Sequence, residues 1–252
     1  MEMLSRAEML NGELKQEAEA NGGVYMPLRI GIGLNTGPCV VGNMGSDFRF
    51  NYSVLGDTVN LASRLEARTK DYRIPIVIGS RTAEGAKKKF AVMEIDLIMV
   101  KGKKQPEAVF AVLGRSEVET DPRCRDLREV NAEMLARFRK QQWDDALEMV
   151  AHCRKFANGF ELSGLYDMYE ERIGLYRAHP PGAGWGGVYE AGRSDPQRAL
   201  WAFAKTRWAR FSAGWRSLPA PQTGARHYHQ ARIAVLPAAS HCRAPAPHRW
   251  SE

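Results

Sequence analysis

A strand pattern that runs directly into a helix pattern constrains the fold of this chain more than any other feature. From Tyr52 to Leu55 the residues have the extended character of a buried strand, and Gly56 permits a tight turn after them. An amphipathic helix is predicted to follow, with Asp57 or Thr58 as its cap. The chain therefore places a helix immediately after a strand, which is typical of domains that mix both elements.

The predicted helix has two distinct faces. Val59, Ala62 and Leu65 have the spacing of residues that pack against a core. Asn60 and Arg64 are four residues apart, so they project from one face and are expected to point outward. A guanidinium suits a phosphate and an amide suits a sugar, so the pair favours an anionic, hydroxyl-bearing ligand. Without other information, a solvated helix surface explains the same pair.

The neighbouring residues alternate between strand and helix patterns. Leu28–Leu34 is a predicted strand whose glycines on one face indicate a close backbone approach. Asn35–Pro38 is predicted as a turn and Gly42–Ser46 as a glycine-rich loop. Elements of these lengths predict an α/β or α+β sandwich. Further strands are expected at 40–42, 50–55, 74–78, 90–100 and 108–113, helices at 57–69 and 80–88, and a turn at 101–104.

Helical patterns flank this region on both sides. Residues 1–22 carry apolar residues at helical spacing, and Asn21 to Gly23 provides a stop signal. Residues 126–178 are helical almost throughout, and the pattern resembles a tetratricopeptide-type pair with one further helix. The predicted packing face of this second region consists of Phe138, Trp143, Ala146, Leu147, Val150, Leu165, Met168, Tyr169 and Ile173.

The net charge of +7 belongs to the last segment of the chain. Residues 192–252 hold ten of the 36 Lys and Arg residues but only two of the 29 Asp and Glu residues, so the rest is close to neutral. The apolar residues of this segment follow neither period, which predicts a basic tail of low order. Two interpretations stay open: a read-through or frame-shifted tail, or a disordered tail that binds an acidic partner. The near-neutral remainder disfavours a nucleic-acid-binding protein.

Cysteine spacing and hydropathy indicate the cellular compartment in which the protein is expected. The four cysteines lie far apart and form no C-x-x-C pair, which argues against a disulfide framework or a zinc site and fits a reducing cytosol. No apolar run is long enough to span a bilayer, and no signal peptide pattern is present. A cytoplasmic location is therefore predicted.

Four elements, in the same order, resemble the catalytic domain of class III adenylate and guanylate cyclases. They are Arg29–Pro38, Gly42–Ser46, Tyr52–Leu65 and the turn Val100–Lys103. The resemblance implies an α+β fold: part of a ferredoxin-like cyclase domain, then a short all-α helical hairpin segment and a disordered tail. The expected segments are residues 1–22 (a helix of the truncated domain), 23–115 (the C-terminal part of the catalytic domain), 116–191 (a tetratricopeptide-like extension) and 192–252 (the basic tail).

The same resemblance implies roles for four residues. Asn60 would orient the ribose, Arg64 would stabilise charge on the α-phosphate as the 3′-hydroxyl attacks it, and Lys101 would hold the triphosphate. Ser53 stands at the purine-reading position, where a hydroxyl does not by itself decide between ATP and GTP. Members with a hydroxyl there are usually adenylate cyclases, so the expected reaction converts ATP to cAMP and pyrophosphate.

Family members also hold two divalent metal ions, Mg²⁺ or Mn²⁺, through aspartates on early strands. The motifs that carry these aspartates do not occur before Gly31, and Asp47, Asp57 and Asp71 stand in no metal-site context. The chain is therefore expected to be a truncated cyclase that is inactive alone. It is expected to complete a site with another cyclase domain, as a homodimer or heterodimer. The alternative is a catalytically inactive dimerisation or regulatory module whose helical extension binds proteins.

The end of the helical region has its own family resemblance. Pro180–Glu190 is similar to the end of the helical extension in membrane-anchored bacterial cyclases, which implies that the intact parent protein is membrane-tethered. The similarity ends at Ala191, where the composition changes. This limit supports a separate tail from residue 192 onward.

Overall fold

The computed structural model describes residues 1–46, 49–99, 105–190 and 234–237. Helices and strands are interspersed up to residue 115 and helices dominate after it, so the α+β fold class is confirmed. The elements are α1 (Glu2–Ala20), β1 (Ile32–Gly37), β2 (Val40–Ser46), β3 (Arg49–Leu55), α2 (Asp57–Tyr72), β4 (Ile76–Gly79), α3 (Ser80–Ala86), β5 (Phe90–Met99), β6 (Glu107–Arg115), a 3₁₀ helix (Ser116–Thr120), α4 (Pro122–Arg139), α5 (Trp143–Phe156), α6 (Ser163–Ala178), β7 (Val188–Glu190) and β8 (Ala234–Pro237).

The chain forms two compact units. The first contains the described residues up to Met93, together with Phe110–Val118 and β8. The second contains Glu94–Val109 and the described residues from Glu119 to Glu190. The division runs through β5 and β6, whereas the sequence places a boundary at residue 115; the segment limits expected from the sequence stay a prediction.

The first unit is built around β1, whose side chains alternate strictly between two faces. In this unit the strand order is β6-β4-β1-β8, and β1 runs parallel to both of its neighbours. The even-numbered residues Ile32 and Leu34 face a hydrophobic cluster, which also includes Leu4 of α1. Burial of such apolar side chains is the main stabilising term of a small unit. The other members of the cluster are Ile30, Ile76, Ile78, Ala83, Ala86, Phe90, Val92, Phe110 and Val112.

The other face of β1 carries glycines, and α2 lies directly against it. A Cβ at Gly33 would clash with the backbone nitrogen of Glu66 and the carbonyl oxygen of Ala62, both in α2. A Cβ at Gly31 or Gly37 would likewise clash with a threonine hydroxyl of the same helix. The close backbone approach predicted from the glycines is therefore confirmed, and α2 is the element that makes it.

Two local predictions for this region are wrong. Asn35 and Thr36, predicted to lie in a turn, belong to β1, because tertiary contacts satisfy both side chains in extended backbone. The Asn35 amide donates to the carbonyl oxygen of Thr58 over 3.1 Å, and the Thr36 and Thr82 hydroxyls lie 2.9 Å apart. The predicted loop Gly42–Ser46 instead forms the last five residues of β2, which pairs antiparallel with β3 from Val40↔Leu55 to Ser46↔Arg49.

The second unit packs three helices and a short strand. The helical pattern predicted for residues 126–178 is confirmed as α4, α5 and α6, with Ala146, Val150, Leu165, Tyr169 and Ile173 buried. Beyond α6 the chain returns, and β7 pairs in parallel with β5 from Leu97↔Val188 to Met99↔Glu190. Four aromatic rings of this unit pack against one another, with 4.9 to 6.0 Å between their ring centroids: Phe138, Trp143, Tyr176 and Trp185.

Strand β8 is the one described element inside the segment predicted as a tail. It pairs in parallel with β1, from Leu34↔Ala234 to Gly37↔Pro237. Nothing in the local sequence pattern predicted this strand. The rest of residues 192–252 lies outside the described residues, as does the predicted turn at 101–104. In the part of the chain that the structure describes, no helix combines the length and the hydrophobicity needed to cross a bilayer.

Two buried thiols are expected to resist labelling in the native chain. Cys124 and Cys153 are buried free thiols, and burial raises the pKa of Cys153 to about 11 and raises that of Cys124 as well. Both thiols therefore stay protonated at pH 8, and the thiolate is the reactive form. Labelling followed by peptide mass spectrometry is expected to show modification of half-buried Cys39 well before either buried thiol. Equal rates at all three, before any denaturant is added, would contradict this expectation.

Candidate active site

Helix α2 begins at a glycine turn that fixes its direction. Gly56 is the N-cap residue and has φ +148°, a backbone conformation that favours glycine. The prediction that Asp57 or Thr58 caps the helix is wrong, since no side chain makes a capping hydrogen bond. Asp57 instead lies in the first turn, where a negative charge interacts favourably with the helix dipole, and Thr58 is buried near Gly37.

Contacts from β1 then fix the position of α2. The Asn35 side chain, only 5% exposed, holds the first turn through the Thr58 carbonyl. Further along, Gly33 lets the helix backbone approach the strand directly. Sequence reasoning missed the part played by Asn35. The sequence contained a signal for this role: Asn35 follows Gly31 and Gly33 at every second position, so it lies on the same face of the strand as these glycines.

The fixed helix presents Asn60 and Arg64 away from the core. Both residues are exposed, whereas Ala62 and Leu65 are completely buried. Leu61 takes a buried place that the sequence assigned to Val59, which is half-buried. The outward face predicted from the four-residue spacing is therefore confirmed. The substrate roles of Asn60 and Arg64 stay predictions.

The structure says less about the other two candidate residues, Ser53 and Lys101. Ser53 lies half-buried on β3, opposite Gly42 of β2, on the strand that leads into the Gly56 turn. Lys101 lies outside the described residues, so its relation to α2 is a prediction from sequence alone. The structure therefore joins Asn60 to Arg64 through one helix and joins Ser53 to that helix through one turn.

The described acidic side chains near this site do not form a cluster of metal ligands. Asp71 accepts from Arg68 at 2.5 Å near the end of α2, and Asp57 is exposed in the first turn. Among the described residues, no group of three or more His, Cys, Asp or Glu side chains is arranged to hold a metal ion. Asp47 lies outside the described residues.

Comparison with known proteins identifies the region that contains this site. Residues 3–113 match the family model of the adenylate and guanylate cyclase catalytic domain. The matched region belongs to the class III nucleotide cyclase family. This cyclase segment covers α1 to β6 almost completely, so the four elements recognised in the sequence all lie within it.

Curated relatives of the cyclase segment include both purine specificities by name. It is similar to "Adenylate cyclase, terminal-differentiation specific" of Dictyostelium discoideum, with 34% identity over 92 residues, 35% of this chain and 4% of the relative. "Adenylate cyclase 1" of Rhizobium meliloti is 33% identical over 86 residues, 34% of this chain and 13% of the relative. The human "Retinal guanylyl cyclase 1" is 49% identical over 51 residues, 20% of this chain and 4% of the relative. The chain thus spans only a small part of these relatives.

Two solved cyclase structures are also similar over part of their length. The adenylyl cyclase CyaB from P. aeruginosa matches 43% of this chain and 56% of its own, with 30% identity and a TM-score of 0.34. The guanylyl cyclase Cya2 matches 44% of this chain and 55% of its own, with 34% identity and a TM-score of 0.35.

Proposed function

We propose that the cyclase segment contributes half of an adenylate cyclase active site, which forms cAMP and pyrophosphate from ATP. The observation that carries this proposal is the outward-facing pair Asn60 and Arg64, on a helix that the glycine face of β1 holds in place. Membership of the nucleotide cyclase family supports a nucleoside triphosphate as the substrate. The choice of ATP over GTP rests on the hydroxyl of Ser53 and on the adenylate cyclases among the relatives.

In this mechanism the chain supplies alignment and positive charge. The Asn60 amide binds the ribose and directs its 3′-oxygen toward the α-phosphorus. That oxygen forms the new P–O bond and gives up its proton to water, while the bond from the α-phosphorus to the pyrophosphate oxygen breaks. The Arg64 guanidinium stabilises the negative charge that spreads over the α-phosphate oxygens during this exchange. Lys101 binds the triphosphate, whose β- and γ-phosphates depart together as pyrophosphate.

The proposed partner is a second cyclase domain, either a copy of this chain or a related one. Four apolar residues at the base and middle of the β2–β3 hairpin are exposed, which is typical of a protein interface. Their exposed fractions are 67% for Val40, 42% for Val41, 77% for Tyr52 and 57% for Leu55. Covering them on association would stabilise a complex that completes the half-site.

The partner domain would hold the divalent metal ions. The described residues of this chain offer no ligand cluster for Mg²⁺ or Mn²⁺. A bound divalent ion supplies charge neutralisation at the phosphates, and here another domain would have to bring its ligands. The complex is expected to form in the cytoplasm. A homodimer that had only the side chains of the described residues would lack a metal site, and it would bind nucleotide without turning it over.

A catalytically inactive dimerisation module is the second candidate function. The exposed hairpin supports association without requiring chemistry. Helices α4 to α6 of the second unit would in this case bind further protein partners. In this alternative, Asn60 and Arg64 are ordinary surface residues of α2. The experiment that separates the two candidates must therefore measure turnover rather than association.

Mixing with a complementary domain tests the proposal. The partner is an intact homologous cyclase domain in which the arginine equivalent to Arg64 is replaced by alanine, assayed for cAMP from ATP with Mn²⁺. We expect no product from either protein alone and clear product from the mixture, because each supplies what the other lacks. A mixture that forms a complex by size-exclusion chromatography but makes no cAMP would favour the inactive module. Product from this chain alone would disprove the assignment of the metal ligands to the partner.

A further inference from the structure

Two consecutive side chains near the end of β1 bind the helices on opposite faces of the strand. On one face, the Asn35 amide nitrogen donates to the carbonyl oxygen of Thr58 in α2 over 3.1 Å. On the other face, the Thr36 hydroxyl lies 2.9 Å from that of Thr82 in α3. The strand is therefore bonded to both helices, and a different residue holds each of them.

The Asn35 amide fills a confined space between α2 and the end of β4. The side chain is only 5% exposed. A Cβ at Gly79, the last residue of β4, would lie 2.5 Å from the Asn35 amide oxygen and 3.3 Å from its Cγ. The missing side chain of Gly79 thus leaves the space that the amide occupies. Between Gly79 and the Thr58 carbonyl, the amide is held in one orientation by close packing and by its hydrogen bond.

The Thr58 carbonyl belongs to the turn of α2 that also carries Asn60. No side chain caps this helix start, and the Asn35 amide bonds the turn from the neighbouring strand instead. Within an α-helix such a carbonyl also accepts from the nitrogen four residues further on, so the amide uses the second lone pair of the oxygen. Asn60 is two residues after Thr58, so a shift of this turn also shifts the Asn60 side chain.

We propose that Asn35 is a positioning residue for the nucleotide site and acts through Thr58 on Asn60. A hydrogen bond fixes the turn more narrowly than apolar packing does, because it depends on both distance and angle. Without the bond the first turn of α2 can shift on β1, and the Asn60 amide then holds the ribose in a poorer alignment for attack by the 3′-oxygen. The inference rests on the proposed function, since it requires Asn60 to bind the ribose of ATP.

Asn35→Leu removes the donor while keeping the shape of the side chain. Leucine branches at the same carbon as asparagine, and an apolar side chain suits a buried place, so little stability is expected to be lost. The Thr58 carbonyl keeps its partner within the helix. Thr36→Val is the matched control, because it removes the neighbouring hydrogen bond of β1 on the face that contacts α3.

Gly79→Ala tests the same contact with Asn35 still present. The new methyl group would clash with the amide oxygen and is expected to displace the amide from the Thr58 carbonyl. Gly79 has φ −78°, so alanine meets no backbone strain there. An effect that Gly79→Ala shares with Asn35→Leu therefore belongs to the bond between the amide and Thr58.

The readouts are the kinetics of the mixed cyclase assay and hydrogen exchange at residues 61–64, whose amides bond back to the first turn of α2. In Asn35→Leu and in Gly79→Ala we expect the kcat for cAMP formation to fall about tenfold, because small displacements of reacting groups have large effects. The KM for ATP is expected to change much less, since the loss falls on the transition state. Exchange at residues 61–64 is expected to be faster in both variants and unchanged in Thr36→Val, which also keeps its kcat.

A double-mutant cycle with Asn60 separates positioning from a general loss of stability. In a chain that already carries Asn60→Ala, adding Asn35→Leu is expected to lower the kcat little further, because the group that Asn35 positions is gone. A purely structural effect would lower the kcat by the same factor in both backgrounds.

The outcomes distinguish this inference from the proposed function. An unchanged kcat in Asn35→Leu, or a full further loss in the Asn60→Ala background, would overturn the role of Asn35. An equal loss in Thr36→Val would also overturn it, because the bond to α2 would then have no special effect. If Asn35→Leu does not fold, Gly79→Ala decides by the same criteria. If even the unmodified chain restores no cAMP synthesis in the mixture, the proposed function fails and the positioning role fails with it.

Discussion

Replacing Arg64 with alanine is expected to reduce cAMP synthesis in the complemented mixture about a hundredfold or more. The guanidinium lies on an exposed helix face, so its removal leaves the core of the unit intact. The loss therefore falls on kcat, where stabilisation of charge in the transition state is measured. Initial rates of cAMP formation at saturating ATP, with binding of the partner domain checked separately, give the comparison.

Arg68→Ala is the matched control for this substitution. Arg68 lies one turn further along the same face of α2 and pairs with Asp71 near the end of the helix. Such partly exposed pairs contribute at most about 1 kcal/mol to stability, so the control removes an arginine at little cost to the fold. We expect it to retain most of the complemented activity. A similar loss in both variants would show that α2 needs positive charge in general and that Arg64 has no specific role.

Replacing Gly33 with alanine is expected to destabilise the first unit by about 3 kcal/mol or more. The added methyl group would clash with backbone atoms of Glu66 and Ala62, and backbone atoms cannot move aside by changing rotamer. Relief requires α2 to move away from β1, which also moves Asn60 and Arg64. Urea unfolding, followed by circular dichroism and by hydrogen exchange of α2, measures the effect.

Gly42→Ala provides the comparison within the same unit. Gly42 also lies in a strand, yet a Cβ there would meet no other atom within 4 Å. We expect this variant to unfold close to the unmodified chain, because alanine meets no steric obstacle there. If Gly33→Ala is equally well tolerated, the close packing of α2 on β1 is not what holds the proposed site in place.

The outward face of α2 could be predicted from the sequence because it depends on local geometry. A four-residue spacing places Asn60 and Arg64 on one side of any α-helix, wherever that helix packs. The glycines of β1 are similar: they predict a close neighbour from the absence of a side chain. The sequence did not reveal that the neighbour is α2, since that identity depends on how the strand and the helix meet.

Local patterns failed where a distant contact decided the conformation. Asn35 and Thr36 have turn propensity, but the Thr58 carbonyl and the Thr82 hydroxyl satisfy their side chains and stabilise extended backbone. In α1 the helical spacing of the apolar residues predicted the helix itself, and Leu10 and Leu14, which contribute to that spacing, are exposed. The helix packs through Leu4, and its Asn11 side chain donates to the carbonyl oxygen of Leu28 and accepts from the backbone nitrogen of the same residue.

By itself, the sequence determined the α+β class, the cyclase resemblance of the four elements between residues 29 and 103, and the outward pair on α2. These follow from periodicity and from motifs that are contiguous in the chain. Only the tertiary structure decided that Arg172 meets Asp96 and that β8 pairs with β1. Residues 96 and 172 are far apart in sequence, and no local pattern identifies the partner of a buried charge. The pairing is seen only in the folded structure, because burial removes both charged groups from water and each then needs an oppositely charged partner.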